Sequence, residues 1–248
     1  THKEQERKYS PSNETISVVI PAAADHKSQI QLNPLLKDHP LCMIELAGKT
    51  LVARQIETLV SLGINNFCLV TGHNREGLEY QYLRGQFGGP SVNLIRNENY
   101  STTGSAYSVM LGLKHTDEKT LIVYSDIIFD RHVPEELLQS PYPITLVIDQ
   151  AFRDLPRRDK ALDLTQTVTT LGDAYAARNM LPVKFKKISK IGKNNIEFSK
   201  ASHEFIGMML LSKEGLQLMK TAWGGAQKKY WDKEFFEAKN IEQASMTD

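Results

Sequence analysis

The feature that most constrains the fold is an alternation. Apolar runs rich in β-branched residues recur between Ile16 and Asp149, and stretches with helical spacing lie between them. Ile16 to Ile20 (ISVVI) is apolar throughout, as a strand covered on both faces must be. Pro21 is expected to stop its ladder, and a loop of about 25 residues, long for a compact domain, follows to near Pro40. Cys42 to Leu46 is a short apolar segment. "AGKT" then reads as a turn at Gly48 with Thr50 as a helix N-cap. Val52, Ile56, Leu59 and Val60 fall on one helical face, and Gly63 ends it. "NNFCLVTG" (Asn65 to Gly72) reads as a second strand, Asn74 to Arg84 as a polar helix and "SVNLIRN" as a third strand. Ala106, Val109, Met110 and Leu113 mark a helix over Ser105 to Lys114. "TLIVYSD" and "PITLVID" read as the fourth and fifth strands. Such an order dictates βαβ units and a mainly parallel sheet.

Beyond Gln150 the period weakens. "RDLPRRDK" reads as a basic loop, and "MLPVKFKKISKIGKNNIEFSK" as two short strands joined at Gly192 and "KNN", a hairpin. "EFIGMMLLS" is a strand, Ser212 caps a helix running to about Trp223, and "KKYWDKEFFEAK" reads as another helix. Trp223, Trp231 and the "EFFEAK" helix could form an interface, and core packing is the role expected of the aromatics. The start, Thr1 to Thr15, has the composition of a linker or tail, leaving 16–248 as a single domain. "NIEQASMTD" breaks off in mid-pattern, which reads as a truncated or disordered end of a longer protein.

Composition excludes some classes. The formal net charge is +1, which argues against nucleic-acid binding through a broad basic surface. No apolar run approaches the roughly 20 residues of a membrane helix. Cys42 and Cys68 both lie in apolar runs and read as small core residues of a reducing compartment, so a cytoplasmic location is expected.

In an open parallel sheet, ligands bind outside the carboxyl ends of the strands, at the switch point. Three features fall at such ends. "PAAADHKS" follows the first strand, and the small side chains of Ala22, Ala23 and Ala24 let backbone N–H groups approach a phosphate or base. A tight strand exit packed under a helix explains the same residues. "RNENYSTTGSAYS" follows the third strand and offers hydroxyls and a helix N-terminus, suited either to a base or anion or to simple capping by Thr103 or Ser105. Asp126 ends the fourth strand, where a carboxylate wants solvent, a partner or a hard cation; Mg²⁺ shared with phosphate oxygens fits, and so does a turn cap. Neither GxGxxG nor GxxxxGK[ST] occurs, and "AGKT" lacks the first glycine of a P-loop.

The succession "IPAA", "PLCMIELAGKTL", "RQIETL", "LVTG", "NENYSTTGSAYS", "LIVYSDIIF" and "HEFIGMMLLSKEG" resembles the sugar-phosphate nucleotidyltransferase superfamily. Within it, the chain is most similar to cytidylyltransferases acting on phosphocholine and on phosphonates such as 2-aminoethylphosphonate, and to nucleotidyltransferase domains fused to phosphoenolpyruvate mutases. The likeness runs over 16–248. It implies an α/β, three-layer, Rossmann-like GT-A fold with a mixed, mostly parallel sheet and an added β-hairpin. It implies transfer of CMP from CTP to a small phosphonate or phosphocholine-like acceptor, with Mg²⁺ on Asp126 and pyrophosphate released. Ala22 and Ala23 would then meet the nucleotide through their amides, Thr103, Gly104 and Ser105 would line its pocket near Tyr100, and His203 and Glu204 would stand beside the acceptor. A homodimer, or fusion to a partner catalytic domain, fits the same resemblance. A noncatalytic nucleotide-binding module and a GT-A glycosyltransferase are the alternatives; "YSDII" is not the Asp-x-Asp motif of many of the latter.

Three departures from the resemblance matter. The first loop reads "PAAADHKS" where the family has LAAG followed by Gly, Ser or Thr and then Arg. Leu41 stands where the family has a phosphate-neutralising lysine ahead of a "C-L/M-V" strand, and Lys27, with Lys37 second, is expected to supply that charge. The late "W-x-E-I-D"-like segment, whose acid completes the metal site, is not matched by "WDKEFF", which places the second metal ligand beyond Asp248.

Overall fold

A computed structural model of the chain describes residues 15–24, 39–83, 85, 89–152, 167–170, 185–192, 196, 198–236 and 238–247. Lys27 and Lys37 lie outside these residues, as do the basic loop "RDLPRRDK" and most of the long loop after the first strand.

Strand β1 (Ile16–Ala22) is the spine of the sheet. Val18, Ile20 and Ala22 enter one core and Val19 and Ala23 the other, so both faces of the strand are apolar from Val18 on. Pro21 does not end the ladder: it stays in register with Val70. Pairing on the opposite edge has already stopped at Val19, so the missing N–H leaves no central ladder bond unmade. Cys42 lies in a 3-10 turn (Leu41–Met43) rather than a strand. The two-residue strands β2 (Glu45–Leu46) and β3 (Lys49–Thr50) pair around the turn at Ala47 and Gly48.

Helix α1 (Leu51–Val60) starts where expected, with Thr50 Oγ1 accepting from the Ala53 amide at 3.3 Å. Val52, Ile56 and Leu59 are buried against the first core. β4 (Asn66–Thr71), α2 (Glu76–Leu83) and β5 (Ser91–Arg96) follow, and then α3 (Ser105–Leu113), which buries Ala106, Val109, Met110 and Leu113 on the other side of the sheet. β6 (Lys119–Val123), the short α4 (His132–Leu137) and β7 (Ile144–Asp149) complete the regular half. β8 (Thr167–Thr170), β9 (Ile188–Gly192), β10 (His203–Leu211) and α5 (Lys213–Tyr230) form the rest.

The eight-stranded sheet runs β5-β4-β1-β6-β10-β8-β9, with β7 on the other edge of β10. β5, β4, β1 and β6 are mutually parallel, and β10 is inserted antiparallel between β6 and β7. At Gly207 (φ 86°) the register of β10 against β7 shifts, and a Cβ there would lie 2.8 Å from that of Tyr124. Helices on both faces make three layers around a mostly parallel mixed sheet, as expected.

Four expectations for the second half are corrected. Ile188–Gly192 does form a strand, but it pairs with Thr167–Thr170 before it; Phe198–Lys200 is a 3-10 turn. α5 does not stop near Trp223 but continues to Tyr230. "KKYWDKEFFEAK" is not a second helix: after Tyr230 the chain bends, and Phe235 pairs with Ala238 in an isolated bridge. Tyr230, Phe235 and Phe236 meet edge to face there, an arrangement that a continuous helix would pull apart. Trp223 packs into the second core, whereas Trp231 is 67% exposed and is not a core residue.

Candidate active site

Chain order and sheet order reverse direction between β1 and β6, so the crevice of the sheet opens at their carboxyl ends. Counted from the Val19–Ile122 pair, Ala23 and Asp126 each lie four residues on, which brings them to the same rim. β4 and β5 end at this rim too. So does the start of β10: Met208 pairs with Val123, the end of β6, and the residues before Met208 run on past it. Glu204 stands there opposite Asp149, the last residue of β7.

The β1 exit is tightly built. Ala22 and Ala23 are 4% and 2% exposed, so only their backbones can face a ligand, while Ala24 is exposed. The Ala23 carbonyl accepts from the His73 amide at 3.1 Å. Gly72 has no room for a side chain: a Cβ would sit 2.6 Å from the Ala23 oxygen and 2.7 Å from the Cβ of Tyr100. Tyr100 therefore packs over the exits of β1 and β4, and its ring meets that of His73 at 5.9 Å. Gly72 and His73 complete this corner and were not singled out from sequence; their signal was the glycine ending the β4 run.

The segment after β5 is ordered by Asn97, which is 1% exposed. Its Nδ2 donates to Thr103 Oγ1 and to Ser108 Oγ, both at 3.0 Å, and its Oδ1 accepts from the Asn99 amide. Thr103 Oγ1 donates in turn to the Asn99 carbonyl at 2.9 Å. Neither Thr103 nor Ser105 caps α3; the cap position is Gly104. The chain itself covers this helix start. The Gly104 amide donates to the Glu242 carbonyl at 2.7 Å, the Ala106 amide to the Ala244 carbonyl at 3.2 Å, and the Met246 amide to Ser105 Oγ at 3.2 Å. The amides of Gly104 and Ala106 are thus taken by the segment around the 3-10 turn Ile241–Gln243.

Asp126 is exposed and makes no ion pair with a described residue. Its loop is fixed from both sides: the Tyr124 amide donates to the Gly207 carbonyl at 2.8 Å, and Gln55 reaches across from α1 to the carbonyls of Tyr124 and Ile127. Cys42 lies close enough for the Asp126 charge to act on it; burial first, and that charge in smaller part, push its thiol up to about 12. A carboxylate at a solvent rim, with no basic partner among the described residues, suits a hard divalent cation shared with phosphate oxygens. Among the described residues, no three His, Cys, Asp or Glu side chains gather into a metal-binding group.

His203 is 4% exposed, its Nδ1 is 2.8 Å from Ser202 Oγ, and it pairs with Val168 of β8. Glu204 is half-buried on the same rim. Of the two, Glu204 has the exposure to meet a cationic acceptor.

This fold, with parallel strands ending around an exposed acid and an antiparallel strand inserted beside them, is shared with solved nucleotidyltransferases. Residues 38–156, just under half of the chain, match the family of the MobA-like NTP transferase domain. Among curated relatives, the chain is 26% identical over 116 residues to the CMP-5'-(3-aminopropyl)phosphonate synthase of Streptomyces rubellomurinus, covering 47% of this chain and 18% of that protein. It is 25% identical over 131 residues to the CTP:phosphoglutamine cytidylyltransferase of Campylobacter jejuni, 49% of each. With the choline-phosphate cytidylyltransferase of Streptococcus pneumoniae it shares 26% over 112 residues, 45% of this chain and 47% of that one. The aligned part is thus less than half the length of each of these relatives. Among solved structures, the inositol-1-phosphate CTP transferase of T. maritima matches 95% of this chain and 79% of its own at TM-score 0.61 and 18% identity. The CTP:phosphocholine cytidylyltransferase of Streptococcus pneumoniae matches 95% and 91% at TM-score 0.54 and 19% identity. These likenesses establish the fold. No helix among the described residues is long and apolar enough to cross a membrane.

Proposed function

We propose that the chain is a cytidylyltransferase that moves CMP from CTP to a small phosphonate or phosphocholine-like acceptor. The supporting observation is the single rim at which Ala23, Tyr100, Asp126 and Glu204 stand at the ends of four different strands or strand exits. The relatives named above as cytidylyltransferases or as a CMP-phosphonate synthase point to cytidine and to phosphonate or phosphate acceptors.

In this reading, an acceptor oxygen attacks the α-phosphorus of CTP in line. One P–O bond forms, the bond to the bridging oxygen of the β-phosphate breaks, and pyrophosphate leaves with its electron pair. Such chemistry demands positioning and charge neutralisation more than covalent catalysis. The tight exit at Ala22 to Ala24 brings the backbone close to the phosphates. Tyr100 and Thr103 border the nucleoside, and Glu204 attracts a cationic amine or choline head group. Lys27, with Lys37 second, supplies the positive charge that Leu41 lacks. Asp126 holds Mg²⁺, which when bound neutralises charge on the phosphate oxygens.

Pyrophosphate release with each NTP, Mg²⁺ and a panel of phosphonates and phosphocholine tests the assignment. Release with CTP and one acceptor class, lost in Asp126→Asn, is the expected outcome. Tight CTP binding without release under any combination would instead establish a noncatalytic nucleotide-binding module and overturn the proposal.

A further inference from the structure

Gln55 is a polar residue on the otherwise apolar buried face of α1. It is 2% exposed and stands three residues after Val52 and one before Ile56. Its Nε2 donates to the Tyr124 carbonyl at 2.8 Å and to the Ile127 carbonyl at 2.7 Å. Both acceptors are backbone carbonyls, so the amide cannot be turned round without losing both bonds. Its Oε1 is buried and accepts no hydrogen bond from the described residues. Burying an amide with one end unpaired costs stability, so packing does not explain the choice of glutamine here. The two carbonyls it joins flank Ser125 and Asp126. The clamp therefore closes the turn that carries the carboxylate.

We infer that Gln55 is a positioning residue: by tying Tyr124 to Ile127 it fixes the direction in which Asp126 presents its carboxylate at the rim. This rests on the reading of Asp126 as the metal-holding acid. A glutamine suits the task because two N–H donors on one nitrogen can span two carbonyls, which a hydroxyl or a carboxylate cannot do. A carboxylate that turns freely on an open loop loses affinity through the entropy of ordering it on each binding event.

The test uses Mn²⁺ with saturating CTP as probe, followed by electron paramagnetic resonance, and amide hydrogen exchange without metal. The variants are Gln55→Met, which keeps the volume and removes both donors, Gln55→Asn, which keeps the donors but is one methylene short, and Asp126→Asn. With Gln55→Met, Mn²⁺ affinity is expected to fall by about tenfold, the scale typical of residues that orient a metal ligand. Exchange in residues 124–128 should quicken while the amides of β1 and β4 keep their protection. Should Gln55→Met fail to fold, Gln55→Asn is read in its place. The proposal is overturned if Asp126→Asn loses Mn²⁺ while Gln55→Met binds it like the native chain. Unchanged exchange over residues 124–128 overturns it equally, because the turn would then be held without the clamp. If Asp126→Asn itself keeps Mn²⁺, the metal reading of Asp126 fails, and exchange alone decides whether Gln55 fixes the turn.

Discussion

Cys42 sits at the junction of core and site, and its ionisation is costly in both respects. Its thiol titrates at about 12 in the folded chain against 9.0 when unfolded, chiefly through burial. A group whose pKa rises on folding binds its proton more tightly in the native state, so its contribution is intact below about pH 9 and is lost as the pH climbs towards about 12. Urea unfolding of the native chain and of Cys42→Ala across that window should show a shallower loss of stability in the variant, whatever its constant offset. Gly104 gives a second outcome at this scale. A Cβ there would run into the carbonyl oxygens of Gln243 and Ala244. Gly104→Ala should therefore lift the segment off α3, costing about 1–3 kcal/mol by chemical denaturation. Faster exchange at the Gly104 and Ala106 amides, and not elsewhere in α3, would show that the loss is local. Gly72→Ala presses on Ala23 and Tyr100 instead, and should weaken nucleotide binding, measured by calorimetry, more than it lowers stability. At this scale the sequence announced Asp126 and the alanines, because an acid or a run of small residues after an apolar strand is conspicuous. Gln55 was silent, since a glutamine in a helical pattern reads as a solvent-facing residue until its partners are known.

The elements repeat this division. β1, α1, β4, α3 and β6 follow from spacing because each buries a strip that only one period can supply. Two caps follow too: Thr50 of α1 and Ser212 of α5 accept from the amides three residues on, at 3.3 and 3.1 Å. Thr50→Ala should cost about 1 kcal/mol of stability in a thermal or urea melt, the usual value of a lost N-cap. β8 escaped notice because Thr167–Thr170 is a short polar run whose strand character comes from pairing with β9 and β10. The over-read helix after α5 failed for the opposite reason. Its residues are good helix formers, but Tyr230, Phe235 and Phe236 gain more by clustering than by continuing the turn.

Across the whole molecule, two cores share one sheet, and the second is extended by residues near the end of the chain. Ile241 and Ala244 are each 1% exposed and pack with Ala106, Trp223, Tyr230 and Met246. Removing residues 231–248 should lower the melting temperature and increase dye binding to apolar surface, since α3 and α5 would lose their shared cover; an unchanged melt would show that this cover contributes nothing. The three-layer arrangement was legible because alternation of strand and helix leaves few topologies open. The fastening of the late segment across α3 was not, as it is made by backbone groups that any sequence carries. The antiparallel insertion of β10 has a kinetic consequence. β6 and β7 are made well before β10, yet neither can complete its pairing until His203 to Leu211 has left the ribosome. During synthesis, therefore, a nascent polypeptide carries an open apolar slot between two finished strands, and chaperone occupancy should fall abruptly once that last strand emerges.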